Sequence, residues 1–132
     1  MPDYQNQKTV FDREPKMIHF SGQKVSATPK TAIRLTRKEQ ESLLKKIPCW
    51  HINRLSDQDQ LERDFIVKNF QSAIDLSNKI TVISEESDHH PTLLVQWGKV
   101  KVIWWSHSIN GLHLNDFVMA AKTDEIFKIH GR

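Results

Sequence analysis

Two adjacent histidines clamped by a proline, His89-His90-Pro91, and a third at His107 are the residues of this 132-residue chain best suited to chemistry. Imidazole is the side chain whose ordinary titration falls near neutral pH, so such a group suggests either proton transfer or metal ligation. Pro91 fixes its own φ and pushes His90 toward an extended conformation. Neighbours in an extended segment point to opposite sides, so the two adjacent rings should not face each other. His107 follows a stretch that reads as a hairpin beginning just after Pro91. A tight turn returns the far end of its second strand to the start of its first, which predicts that His107 meets His89-His90-Pro91 in space. Asp88 and Glu85 lie beside the pair in sequence. Three histidines can hold a catalytic zinc. The chain has no HExxH spacing, however, and adjacent extended histidines diverge, so acid–base work is the preferred reading. His19, His51 and His130 read as surface or structural histidines.

Four strands and three helices must position these residues. Thr36 with Glu39 three residues on reads as a capping box, opening a helix with Leu43, Leu44 and Ile47 on its inner stripe and Pro48 at its end. Strands are expected over 50–54 and 60–67, separated by a polar turn. A longer helix is expected from about Asn69 to Ser84, with Phe70, Ala73, Ile74, Ser77, Ile80 and Ile83 inward. The hairpin strands read as 92–97 and 100–105, joined by Gly98-Lys99 as a II′ turn. In the second, Val100, Val102 and Trp104 share one face, and Lys101, Ile103 and Trp105 the other. An Ile and a Trp on that second face suggest that substrate or another subunit covers it. A last helix is expected over 115–128. The order α-β-β-α-β-β-α implies an α+β fold, with a four-stranded antiparallel sheet and its helices packed on one face.

Composition narrows the class. Residues 1–38 hold eight Lys/Arg against three acids, and the rest hold eleven against thirteen, so the net charge of +3 comes from the N-terminal part. Residues 1–34, with at most a short strand around Met17–Phe20, read as a basic, largely irregular extension, and 35–132 as the folded domain. Deletion of residues 1–30 is expected to leave the domain intact. The near-neutral domain argues against nucleic acid as a partner. No apolar run reaches the roughly 18 residues of a membrane span, and no secretory h-region opens the chain, so a cytoplasmic protein is expected. Cys49, the single cysteine, excludes an internal disulfide and reads as a buried, inert thiol.

The spaced set Glu85-x-x-x-His89-His90-Pro91, Trp97, His107 and Asp116 resembles the signature of the pterin-4a-carbinolamine dehydratases. The flanking Trp105-Ser106-His107-Ser108, Gly111-Leu112, Asn115-Asp116-Phe117 and Ile47-Pro48-Cys49-Trp50 agree, and the likeness spans residues 35–128. Two positions depart from the pattern. His113 stands where the family has a Ser or Thr cap, and Cys49 where it has glycine. The resemblance implies a hydro-lyase that regenerates the pterin cofactor of aromatic amino-acid hydroxylases, with no cofactor of its own. It assigns acid–base and orienting work to His89, His90 and His107. It places Glu85, Asp88, Pro91, Trp105, Ser106, Ser108 and Asp116 around the pterin. It also implies a homodimer or homotetramer. The alternative it leaves is a non-catalytic dimerisation or coactivator protein on the same fold.

Overall fold

A computed structural model describes residues 20–55 and 57–131. Helix α1 (Arg37–Leu44) opens as its sequence dictates. The Glu39 amide donates to the Thr36 hydroxyl at 3.2 Å, and the Thr36 amide donates to the Glu39 carboxylate at 2.8 Å. The helix stops at Leu44, one turn before Pro48, and turn bonds carry the chain on to Trp50. Ile47 and Trp50 are buried in this turn while Cys49 between them is exposed, which corrects the expected burial of the thiol. The strand expected around Met17–Phe20 falls outside the described residues, except for Phe20, whose backbone is helical. His19 also lies outside them.

Strands β1 (His51–Leu55), β2 (Gln58–Ile66), β3 (Thr92–Gln96) and β4 (Lys99–Trp104) form one antiparallel sheet in the order β1-β2-β4-β3. Leu61 and Phe65 of β2 and Val100, Val102 and Trp104 of β4 are buried on one face. Burial of each such side chain contributes about 1.5–3 kcal/mol. Helices α2 (Phe70–Ser87) and α3 (Leu114–Ile126) pack on the sheet, and Leu43 and Leu44 of α1 join the same core. The β3–β4 turn differs from expectation. Gln96 pairs with Lys99, so the turn is Trp97-Gly98, with Gly98 at φ +76° in the second central position. Positive φ there is the requirement of a type II turn, not II′. Pairing of Val95 with Val100 sets this register from the core side.

The end of α2 matters most for the site. Asn69 caps its start by accepting the Ser72 amide at 2.8 Å. Ala73, Leu76, Ser77 and Ile80 line the buried stripe, whereas Phe70 is half-exposed rather than inward. The helix continues through Ser87, a turn beyond the expected Ser84. Asp88 then adopts the left-handed conformation at φ 48°. Its amide donates to the Glu85 carbonyl at 3.3 Å and the His89 amide to the Ser84 carbonyl at 3.2 Å. These two bonds form a Schellman closure, with Asp88 in the place usually held by Gly or Asn.

Candidate active site

The Schellman closure turns the chain sharply, so His89 goes inward and His90 outward. His89 is 6% exposed and stacks on Trp104, its ring centroid 5.7 Å away and nearly parallel. Its Nε2 lies 2.6 Å from Asp116 Oδ1. His90 is half-exposed, and its Nε2 lies 2.6 Å from a Glu85 carboxylate oxygen one turn back on α2. The divergence expected of adjacent extended residues is therefore realised, and each ring is tied to its own carboxylate.

Asp116 sits at the third position of α3 and is fully buried. Its Oδ2 accepts from Ser106 Oγ at 2.8 Å and from the His113 amide at 2.9 Å. His113, standing where the family has a Ser or Thr cap, caps through its Nδ1, which accepts the Asn115 amide at 3.0 Å. An ionised carboxylate only accepts, so opposite an ionised Asp116 it is His89 Nε2 that carries the proton between them, with Nδ1 as the other ring nitrogen.

The third histidine is delivered by a closed loop after β4. Ser106 and Gly111 exchange two backbone bonds, of 2.9 and 3.3 Å, with Asn110 left-handed at φ 49° before the closure. A Cβ on Gly111 would stand 2.3 Å from Arg34 Cδ, so glycine lets the Arg34 side chain lie across the loop. His107 starts a short 3₁₀ turn, and its ring stacks on Trp105 with centroids 3.9 Å apart.

His89, His90 and His107 line one open cavity of about 330 Å³. Asp88, Pro91, Trp105, Ser106 and Ser108 line it too. Glu85 and Asp116 do not; they stand behind His90 and His89 as ring partners. For Asp116 this differs from the substrate-side place the resemblance implied, because it has no exposed surface. Two wall residues, Ala27 and Thr28, were not foreseen. They belong to the stretch read as an extension, yet Val25 is in the core and Thr28 is 9% exposed. In the described part of that stretch Phe20, Val25 and Thr28 are buried against the domain, while most of the residues between and after them are exposed. Among the described residues, no three His, Cys, Asp or Glu side chains are grouped as metal ligands.

The comparisons with known proteins agree with one another. The model of the family described as pterin 4 alpha carbinolamine dehydratase matches residues 33–126. A Marinobacter nauticus protein named for that family is 43% identical over 111 residues, covering 84% of this chain and 100% of its own length. A Saccharophagus degradans protein named likewise is 46% identical over 97 residues, covering 74% of this chain and 86% of its own. The crystal structure of a transcriptional coactivator/pterin dehydratase from Brucella melitensis superposes with a TM-score of 0.64 at 29% identity, over 71% of this chain and 98% of that one. With the family model covering most of the folded chain and the His-His-Pro turn, the cavity and the relatives all in accord, the chain belongs to the pterin 4 alpha carbinolamine dehydratase family.

Proposed function

We propose that this protein removes water from a 4a-hydroxytetrahydropterin by histidine acid–base catalysis, forming the quinonoid dihydropterin as one step in recycling the pterin cofactor of an aromatic amino-acid hydroxylase. The C4a–O bond breaks as an acid protonates the departing hydroxyl. The N5–H bond breaks as a base takes that proton, and C4a=N5 forms. Atoms and charge then balance with no redox partner. Imidazole, with a reference pKa of about 6.5, suits both duties near neutral pH.

One observation carries the reading: three histidines line one cavity, two of them each held by a carboxylate. The pairs contrast in burial. His89–Asp116 is enclosed and fixed by stacking on Trp104, whereas His90–Glu85 is open to water. Contrasting environments for paired titratable groups are how acid and base roles are separated. His107, stacked on Trp105 with ring centroids 3.9 Å apart, gives the wall an aromatic surface against which a flat pterin ring can lie. Asp88 offers a polar edge for the amidine-like side of the ring, and residues Trp105 to Ser108 offer a wall and backbone groups beside it. The test is stopped-flow absorbance of carbinolamine generated in situ. Acceleration above the spontaneous rate, proportional to protein concentration, supports the reading. A rate equal to background at every protein concentration contradicts it.

A further inference from the structure

Thr28 lies upstream of the family match, which begins at residue 33, and it is nonetheless buried at the wall of the cavity. Residues 25–28 form a strap held from several sides. Val25 is anchored in the core, Ser108 Oγ donates to the Thr28 carbonyl at 2.9 Å, and Asn115 Nδ2 donates to the Ser26 carbonyl at 3.0 Å. The Thr28 hydroxyl lies 3.1 Å from Ser106 Oγ and 3.0 Å from Asn115 Nδ2.

Counting protons gives these bonds a direction. A hydroxyl has one proton to donate. Ser106 gives its proton to Asp116 Oδ2, so toward Thr28 it can only accept. Thr28 therefore donates to Ser106, and its oxygen accepts from Asn115, which has only N–H to offer on that nitrogen. The chain runs one way: Asn115 to Thr28, Thr28 to Ser106, Ser106 to Asp116. The far oxygen of Asp116 holds His89. Aligned bonds of this kind polarise one another in a buried setting.

We propose that Thr28 is a positioning residue for the reaction, orienting the Ser106 hydroxyl that fixes Asp116 and, through it, the His89 ring. This rests on the dehydratase reading for its kinetic consequence, although the orientation of His89 is measurable without substrate. Thr28 touches neither Asp116 nor His89, so its effect must pass through Ser106.

The test compares T28V, which keeps the shape and loses the donor, with T28S, which keeps the donor, both in the full-length chain. Loss of one buried neutral hydrogen bond should lower kcat about 3- to 10-fold. KM for the carbinolamine should stay near the wild-type value. The ring ¹⁵N chemical shifts of His89, recorded by NMR without ligand, should differ between T28V and the wild type, because they report which ring nitrogen carries the proton and how it is hydrogen-bonded. T28S should match the wild type in both. If T28V does not fold, Asn115→Ala, which removes the donor at the head of the chain, should show the same pattern. A wild type without turnover whose His89 ring ¹⁵N shifts still change in T28V would overturn the dehydratase reading and uphold the positioning role. Unchanged kcat and unchanged His89 ring ¹⁵N shifts in T28V would overturn the proposal. So would equal losses in T28V and T28S, since a packing role alone explains them.

Discussion

At the scale of single residues, the site is governed by what each carboxylate holds. Asp116 takes three groups at once: His89, Ser106 and the His113 amide. Asp116→Asn keeps the shape but exchanges one acceptor oxygen for a donor. It leaves at least one buried group unpaired, at a cost of about 1–3 kcal/mol. It also confronts His89 Nε2–H with an N–H, favouring the other tautomer or a displaced ring. The expected outcome is a lower thermal midpoint together with a kcat loss larger than any change in KM. Wild-type kcat in a folded Asp116→Asn variant would show that the orientation of His89 is immaterial. The histidines and Glu85 were legible because their types and spacing stand out in the sequence. The role of Asp116 was legible only in part, because the spacing of residues does not reveal which side of a ring a carboxylate will approach.

At the scale of elements, the turn after α2 decides where both adjacent histidines go. Asp88 is held at φ 48°, a conformation costing an ordinary L-residue roughly 1–2 kcal/mol, with Asn and Asp the tolerated exceptions. Asp88→Val should therefore lower stability by about 1 kcal/mol or more, and Asp88→Gly should leave it near or above the wild-type value. Chemical denaturation of the two variants checks this, and equal stabilities would refute the strain argument. The element order, the capping box and the inner face of β4 followed directly from period and cap residues. The last turn of α2 did not. Glu85, Glu86 and Ser87 carry no apolar period, and Val82 and Ile83 are β-branched, so the sequence favours an earlier end. Tertiary burial of Ile80, Ser84 and Ser87 overrides that preference. The strap at 25–28 was hidden for a related reason. It has no period, and its burial depends on bonds to residues some 80 to 90 positions away.

At the scale of the whole molecule, two behaviours follow from what the sheet leaves charged or uncovered. Asp124 accepts from Trp50 Nε1 and pairs with Arg63, yet burial raises its carboxyl above the ordinary 3.8, the Trp50 bond and Arg63 only partly opposing this. Between the ordinary and the raised value the native chain keeps a proton that the unfolded chain has released. Stability from this group is thus present at low pH and lost as pH rises through the raised value. Asp124→Asn should flatten the pH dependence of the thermal midpoint just above the ordinary carboxylate range, and an unchanged slope would contradict this. On the face away from the helices, Ile66 and Leu94 remain 67% and 53% exposed, and Trp97 in the adjoining turn 72%. A homo-oligomer that covers this face is our expectation, and sedimentation should then give a mass that is a multiple of 15.4 kDa. A mass of one chain at micromolar concentration would contradict it. The central claim, that the histidine cavity performs the dehydration, is tested most directly by stopped-flow turnover of folded His89→Ala, His90→Ala and His107→Ala chains. The losses should be unequal. A principal acid or base should fall about 10²–10⁴-fold in kcat, and a ring that only orients the pterin should mainly raise KM. Wild-type dehydration in all three, with melting curves unchanged, would contradict the account and leave a dehydratase fold without dehydratase chemistry.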